Sequence, residues 1–406
     1  MPGEDVAPLQ QVSILRTAFL CRWDQEFESG FLQRRVCKPS VPLDNDIALF
    51  EGLYGRYRNN RRVKVQLAPA NLYWCSDEAL TKLADCSRKY DDDIALFEGL
   101  YGRYRDNRRV KVQLAPANLH WCSDEALTRL ADCSRKYGVP LHMHLLETAY
   151  QKEYARRRGG CTAVEYIDRF GLLGPQMTLG HGVWLNERDI DRLAETGTCV
   201  CHNCSSNFRL RSGVAALNKL EAAGITTAIG IDEAGINDDR DMLQEMRMVL
   251  RAHRIPGMDD EVPTPAQVFR MATSGGAATT PFAHTIGALE VGRAADMVLI
   301  DWRAISYPYL DSETPLVDAV LQRAKTSDVR TVICDGEVIY HDGKFTKVDR
   351  DGALRALHED LQRALSDDEV ERRRLSKSLL PHVRAFYADY FDAEQHAPFY
   401  RQSSRQ

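Results

Sequence analysis

Apolar positions along the chain alternate between two spacings from about residue 93 to residue 255. They recur three and four residues apart over 94–101, as on one helix face, and two residues apart over 108–114, as in a strand. Strands that alternate with helices in this way indicate βαβ units and a parallel sheet. Further strands are predicted over 139–146, 177–183, 199–201 and 226–231, and further helices over 163–170, 186–195, 214–223 and 241–253.

The pattern changes after residue 260. Residues 294–301 and 329–340 have the alternation of strands, and Asp335-Gly336 within the second run is typical of a hairpin turn. Residues 349–392 combine helical spacing with many charges. We therefore expect a small β segment followed by a helical tail.

A long internal repeat precedes the regular region. Residues 44–90 and 91–137 are almost the same sequence, placed head to tail, and differ at only four positions. Solenoid repeats keep a few framework positions, vary the rest and usually need three or more copies. We interpret the pair as a recent duplication or a gene-assembly error. The differing positions are Asn45/Asp92, Asn59/Asp106, Tyr73/His120 and Lys82/Arg129.

Polar side chains stand where four of the predicted strands end. The carboxyl ends of strands in a parallel barrel meet at one face, and such folds place their chemistry there. Core packing alone does not explain a histidine or aspartate at four strand ends, so we expect these side chains to converge. They are His144 with Glu147, His181, His202 and Asp232.

Composition narrows the class of protein. The 406 residues are 44% hydrophobic and 27% charged, which is ordinary for a globular chain and excludes a disordered or collagen-like protein. A net charge of −5 argues against a nucleic-acid binder. No run of about 18 apolar residues predicts a membrane span. The 11 cysteines are irregularly spaced and no secretory signal is visible, so we expect reduced thiols and a cytoplasmic location.

The segments around these strand ends resemble the amidohydrolase superfamily, in its branch of cytosine-deaminase-like, guanine-deaminase-like and triazine-hydrolase-like enzymes. The similarity covers roughly residues 93–350 and rests on the order and spacing of the motifs together. The motifs are His144-Leu145-Leu146-Glu147-Thr148, Leu179-Gly180-His181-Gly182-Val183, His202-Asn203-Cys204-Ser205-Ser206-Asn207, Ile229-Gly230-Ile231-Asp232, Asp241–Arg247 and Ile286–Asp296.

The resemblance implies an α/β fold, a TIM-like (β/α) barrel, with one divalent metal ion, zinc or iron. It implies hydrolysis of non-peptide carbon–nitrogen bonds, and most specifically deamination of an amino-substituted purine, pyrimidine or triazine. His144, His181 and Asp232 would bind the metal, and His181 and Asp232 would also act on the attacking water. Glu147 would carry a proton to the leaving nitrogen.

The resemblance also suggests residues that contact the substrate. The loop after the repeat strand lines the pocket in the family, and the second copy is the one in native context, which favours Asn118, His120 and Trp121. An aromatic plug is an equally good interpretation of Trp121. His202 and Asn203 would face the substrate from a later strand end, and Asn207 would fix that loop.

One family feature is missing from the sequence. The first barrel strand of the family carries a His-x-His metal-ligand pair, but the first histidine here is His120, and residues 1–43 contain no such motif. Counting the predicted strands gives six instead of eight, so we expect an incomplete barrel that lacks its first strands and has one βα unit duplicated. Zinc sites generally use three protein ligands plus water. Without the pair, His144 and Asp232 remain with His181 to complete the set, so the metal would be weakly bound or absent.

This interpretation divides the chain into five segments. They are an atypical N-terminal segment (1–43), a duplicated helix–strand–helix unit (44–90), a partial barrel (91–285), a small β-domain segment (286–348) and a helical tail (349–406). The expected partner is a small aminated heterocycle, not a nucleic acid or a membrane, and association into a homo-oligomer stays open.

Two rival hypotheses remain. The first is a non-catalytic remnant of a rearranged amidohydrolase gene, which the missing His-x-His pair favours. The second is a thiol-based metal carrier built on Cys199, Cys201 and Cys204, of which the last two have CxxC spacing. No second CxxC motif completes a structural zinc site, so we interpret these thiols as bystanders.

Overall fold

The computed structural model describes residues 65–67, 86–107, 110–233, 236, 239–255 and 262–390. The predicted segment 1–43 and most of the first repeat copy lie outside the described residues. None of the described helices combines the length and the apolar character needed to cross a membrane.

Six short parallel strands follow one another in chain order. A four-stranded sheet has the order β3-β4-β5-β6. Two isolated bridges, Leu114–Leu141 and Asn118–His144, attach the segment after β2 to β3, and β1 pairs in parallel with β2. The six strands expected from the sequence are therefore present in the described chain. They are β1 (Val65–Leu67), β2 (Val110–Val112), β3 (Leu141–Leu145), β4 (Met177–His181), β5 (Cys199–His202) and β6 (Thr227–Ile229).

Helices connect these strands. Local signals set their ends: Ser123 caps α2 by accepting a hydrogen bond from the backbone N–H of Ala126, and Asn186 and Asp189 form a capping box on α5. The sequence reasoning did not predict α3. The helices are α1 (Cys86–Tyr104), α2 (Asp124–Tyr137), α3 (Ala149–Gly159), α4 (Ala163–Asp168), α5 (Glu187–Thr196), α6 (Cys204–Arg209), α7 (Leu217–Ala222), α8 (Met242–Ala252), α9 (Pro265–Arg270) and α10 (Gly276–Ala278).

The join between the two repeat copies lies inside a helix. In the second copy, α2 ends because Gly138 follows Tyr137 and adopts the left-handed conformation, with φ of 63°. Asp91 occupies the corresponding position after the first copy, and there the chain stays helical from Cys86 to Tyr104. The end of one copy and the start of the next thus form a single helix, α1.

The main apolar core lies between the parallel sheet and its helices. On β3, Met143 and Leu145 are buried with Leu141, and on β4 Leu179 is fully buried. Each such side chain contributes about 1.5–3 kcal/mol when it is removed from water. The core therefore fixes the two strands that carry His144 and His181.

An antiparallel sheet follows the barrel region, in the order β10-β9-β8-β7. The predicted hairpin at Asp335-Gly336 is confirmed, and both residues have positive φ, as its turn requires. Two helices lie between β7 and β8, and two form the tail. These elements are β7 (Met297–Ile300), α11 (Trp302–Ser306), α12 (Leu316–Arg323), β8 (Val329–Cys334), β9 (Glu337–His341), β10 (Lys344–Phe345), α13 (Arg350–Leu361) and α14 (Asp367–Phe386).

The end of the tail packs against α3. The Arg157 guanidinium donates a hydrogen bond of 2.9 Å to the Asp389 carbonyl oxygen and lies 4.1 Å from the centre of the Tyr390 ring. Tyr387 contacts Tyr150, with ring centres 5.1 Å apart. The tail is therefore held beside the barrel by charge and aromatic contacts.

We predict that Glu153→Gln removes a contribution to stability that depends on pH. The buried Glu153 carboxylate accepts hydrogen bonds from Arg156 and Arg157, which lower its pKa from 4.5 to about 2. A lowered pKa stabilises the folded state above pH 4.5, and this gain is lost as the pH falls toward 2. At pH 7 the variant should lose about 1–2 kcal/mol, since the partly exposed arginines reduce the effect.

Urea unfolding at several pH values between 7 and 3 measures this difference. Glu125→Gln, which removes an exposed carboxylate paired with Arg129, is the matched control and should change stability little throughout. A Glu153→Gln deficit that stays constant down to pH 3 would contradict the prediction.

We also predict that deleting residues 44–90 leaves the remaining chain equally stable. Residues 44–90 nearly repeat residues 91–137, so the shortened chain keeps one complete helix–strand–helix unit beside β3. Urea unfolding of the deleted and the full chain gives the comparison. If deletion unfolds the region from residue 138 to residue 350, the first copy occupies a barrel position through the pairing of β1 with β2.

Candidate metal centre

Three strand ends bring nitrogen and oxygen ligand atoms together. His144 lies in β3, His181 ends β4, and Asp232 follows β6. The Nε2 atom of His144 is 3.9 Å from Asp232 Oδ1, and Nε2 of His181 is 3.7 Å from Asp232 Oδ2. All three ligand atoms lie within 4.8 Å of one another. The side chains predicted to bind a metal thus converge.

The backbone at these strand ends is strained. Leu146, His181 and Asp232 have φ of 54°, 75° and 59°, a left-handed conformation that non-glycine residues seldom adopt. Each such residue costs on the order of 1–3 kcal/mol and persists only where the surroundings enforce it. Two of the three, His181 and Asp232, are candidate metal ligands, and their side chains point toward the centre.

Hydrogen bonds behind the imidazoles orient both rings. The Nδ1 of His144 donates to the Ala117 carbonyl oxygen, and the Nδ1 of His181 donates to Asn207 Oδ1, each at 3.0 Å. A neutral ring with its proton on Nδ1 presents the Nε2 lone pair to the centre, so a metal must displace the Nε2 proton of His144 before that ring can bind it. Asn207, expected from the sequence only to fix a loop, also sets the orientation of a candidate ligand.

A buried nitrogen without a hydrogen-bond partner indicates that His144, His181 and Asp232 are suited to bind a cation. His181 is fully buried, and its Nε2 has no hydrogen-bond partner although it faces Asp232 and, at 4.0 Å, Glu147. Leaving a buried polar atom unsatisfied costs about 1–3 kcal/mol. Two imidazole nitrogens and a carboxylate oxygen are a donor set that suits zinc or iron.

The charges at the centre are strongly coupled. Burial lowers the pKa of His144, but the Asp232 carboxylate beside it outweighs burial and raises that pKa to about 9. Burial would raise the pKa of Asp232, but His144 and His181 hold it well below its usual range. Ser206 Oγ also donates a hydrogen bond of 2.6 Å to Asp232. Asp232 is therefore kept as a carboxylate.

Glu147 lies directly beside these ligands. It is 2% exposed, its Oε2 is 4.0 Å from His181 Nε2, and Ser212 Oγ donates to its Oε1 at 3.3 Å. A carboxyl group in this place can exchange a proton with a reactant held at the centre. Ser206 and Ser212 have roles that the sequence reasoning missed, although both lie in the polar run after β5.

The three residues proposed from the second repeat copy have different surroundings. Asn118 is buried, and its Oδ1 accepts a hydrogen bond from the backbone N–H of His120. The His120 ring stacks on Tyr154 at 3.9 Å, and burial lowers its pKa to about 4. Trp121 is 40% exposed, so it is not a buried aromatic plug.

His202 does not join this centre. Its Nε2 lies 2.9 Å from Nε2 of His253, which follows α8, and both side chains are buried. Asn203 lies beside Cys201, whose Sγ is 3.7 Å from Asn203 Oδ1. Cys201 is in register with Gly180, which pairs with His144, so His202, one residue further on, lies on the opposite face of the sheet from His144. The substrate contacts expected of His202 and Asn203 stay predictions.

Comparisons with known proteins agree on the family. A model of the amidohydrolase family matches residues 98–339. The chain is 32% identical over 313 residues to 5-methylthioadenosine/S-adenosylhomocysteine deaminase of Syntrophobacter fumaroxidans, covering 77% of this chain and 60% of that protein. It is 34% identical over 217 residues to 5'-deoxyadenosine deaminase of Methanopyrus kandleri, covering 53% and 49%. The chain thus spans about half to three fifths of these relatives.

Solved structures show the same fold. An adenosine deaminase from Xanthomonas campestris with bound zinc superposes with a TM-score of 0.67 at 24% identity, over 80% of this chain and 70% of that one. Atrazine chlorohydrolase from Arthrobacter aurescens TC1, complexed with zinc, gives 0.63 at 21% identity, over 66% and 60%. Both support a TIM-like architecture. By its family match, its fold and its converging strand ends, the chain belongs to the amidohydrolase family.

Proposed function

We propose that the chain is a metal-dependent hydrolase of non-peptide carbon–nitrogen bonds that deaminates an aminopurine of the adenosine type. The observation that supports this most is the convergence of His144, His181 and Asp232 beside the buried Glu147. The named activities of the curated relatives, which are deaminases of 5'-deoxyadenosine and 5-methylthioadenosine, support the substrate class.

Each side chain has a part in the proposed reaction. His144, His181 and Asp232 would hold one zinc or iron ion, which when bound lowers the pKa of water from 15.7 to about 7. Asp232 would orient the attacking water and accept one of its protons. Glu147 would carry the other water proton to the amino nitrogen, so that the carbon–nitrogen bond breaks and ammonia leaves. The ring carbon would keep the water oxygen, and the proton on Asp232 would pass to the ring nitrogen, which gives the oxo heterocycle and returns both side chains to their starting state.

The ligand count bears on metal affinity. Catalytic zinc sites generally use three protein ligands with one open position, and the two histidines with Asp232 supply three. The given sequence contains no histidine before His120 that could add to them. We propose that the ion is held more weakly than in a site with further ligands.

We predict that Asn207→Ala lowers zinc affinity by about 10–100-fold, because the ring of His181 loses the acceptor that orients it. Zinc uptake by metal-stripped protein, measured against a competing chelator, gives the affinity. The part of the zinc binding that is lost in Asp232→Asn is the part that belongs to this centre. Asn186→Ala is the matched control: it removes the cap of α5, costs about 1 kcal/mol of stability, and should leave zinc affinity unchanged. Equal affinity in Asn207→Ala and wild type would contradict the orienting role.

We predict that Glu147→Gln lowers the rate of ammonia release at least about a hundredfold, since the amide cannot carry the proton. Ammonia release from adenosine, 5'-deoxyadenosine and 5'-methylthioadenosine is the assay. Glu165→Gln, which changes a capping box in α4, is the control and should retain the wild-type rate.

A retained rate in Glu147→Gln would refute its role as proton carrier. Zinc-loaded wild type that releases no ammonia from aminopurines, pyrimidines or triazines would instead favour the non-catalytic remnant.

A further inference from the structure

A second cluster of ligand atoms lies outside the barrel centre. It consists of His202 at the end of β5, Cys204 at the start of α6 and His253 after α8. All three are at most 2% exposed. The two Nε2 atoms lie 2.9 Å apart, and the ligand atoms of all three residues lie within 4.8 Å of one another.

The surroundings of this cluster are apolar. Cys204 packs in one buried group with Leu217, Met246 and Met271. In this setting His202 Nδ1 is buried and has no hydrogen-bond partner. The two Nε2 atoms share one hydrogen bond, but the unsatisfied Nδ1 of His202 still costs about 1–3 kcal/mol in this apolar layer. Packing alone therefore does not account for the three side chains.

We propose that His202, Cys204 and His253 bind a second, structural metal ion of the zinc class, separate from the ion of the barrel centre. Two imidazole nitrogens with one thiolate are a ligand set that zinc accepts. Nitrogen ligands about 2.0–2.1 Å from a tetrahedral ion lie roughly 3.3 Å apart, so the two rings need to separate only slightly. The thiol gives up its proton on binding.

The buried carboxylate of Glu245 can balance the charge of the proposed ion. A divalent ion with one thiolate and two neutral imidazoles keeps one positive charge, which is costly in an apolar layer unless it is paired. Glu245, 3% exposed on α8, accepts hydrogen bonds from the backbone N–H groups of Ser205, at 3.0 Å, and Cys204. It therefore places a carboxylate at the start of α6, next to the ligand Cys204.

The proposed ion would tie three elements together. Its ligands come from the end of β5, the start of α6 and the end of α8. The same short helix, α6, carries Ser206, which bonds Asp232, and Asn207, which orients His181. An ion at Cys204 would thus fix the helix that supports the barrel centre, which is a structural role and not a catalytic one.

This arrangement differs from a CxxC thiolate site. Cys201 points to Asn203, its Sγ 3.7 Å from the Oδ1 atom, and in the described chain it belongs to no group of three ligand atoms. The partners of Cys204 are therefore histidines, one of them far away in sequence. Cys201 serves as the matched control, because it is a buried thiol on the adjoining strand.

Cobalt(II) titration of the metal-stripped full chain tests the proposal. Thiolate ligation gives a thiolate-to-cobalt charge-transfer band in the near ultraviolet, which a site of nitrogen and oxygen ligands does not give. Since the barrel centre also takes up cobalt, we expect this band to saturate within two equivalents in wild type and in Cys201→Ser, and at one equivalent in Asp232→Asn. Cys204→Ser should abolish it, and His253→Gln should weaken cobalt binding at least tenfold.

Wild type without the band would overturn the proposal, and this result does not depend on whether any variant folds. A band that survives Cys204→Ser in a variant with a wild-type circular dichroism spectrum, or that disappears in Cys201→Ser, would overturn it as well. Because Asp232→Asn removes only the barrel centre, failure of the proposed deaminase and failure of this second site remain distinguishable.

Discussion

A buried imidazole nitrogen that faces two carboxylates is the constraint on which the centre of this structure depends. His181 Nε2 has no hydrogen-bond partner and lies 3.7 Å from Asp232 and 4.0 Å from Glu147. Acceptor atoms concentrated in this way are unfavourable unless a cation or proton lies among them. This arrangement is maintained by the left-handed backbone at His181 and Asp232. The hydrogen-bond acceptors behind both imidazoles maintain it as well. These side chains therefore favour a cation or a proton between them.

The fold was predictable where its signals are local. The strands from β3 to β6 and the helices after them follow from apolar spacing, and caps such as Ser123, Asn186 and Gly138 mark the helix ends. Helix α3 escaped prediction because few of its residues are apolar, and its buried residues are Ala149, Glu153 and Ala155. Its ends do carry local signals, the Thr148 cap and the left-handed Gly160, which the apolar spacing does not use.

The site was predictable to the extent that topology determines it. The carboxyl ends of parallel strands meet at one edge, so His144, His181 and Asp232 could be placed together from their positions. His202 occupies the same kind of position but points to the other side of the sheet. Its partner His253 is 51 residues away along the chain, and Asn207 is 26 residues from His181. Such pairings depend on how helices pack, which spacing does not reveal.

The helix that crosses the join between the repeat copies has a wider meaning. Residues that end a helix in one copy continue it in the other, because the next residue is Gly138 in one case and Asp91 in the other. The residues that follow, Gly138-Val139-Pro140 in one case and Asp91-Asp92-Asp93 in the other, thus decide how the same amino acids fold. Near-perfect sequence identity between tandem segments is therefore no guarantee of equivalent conformation, and a role assigned to His120 does not transfer to Tyr73.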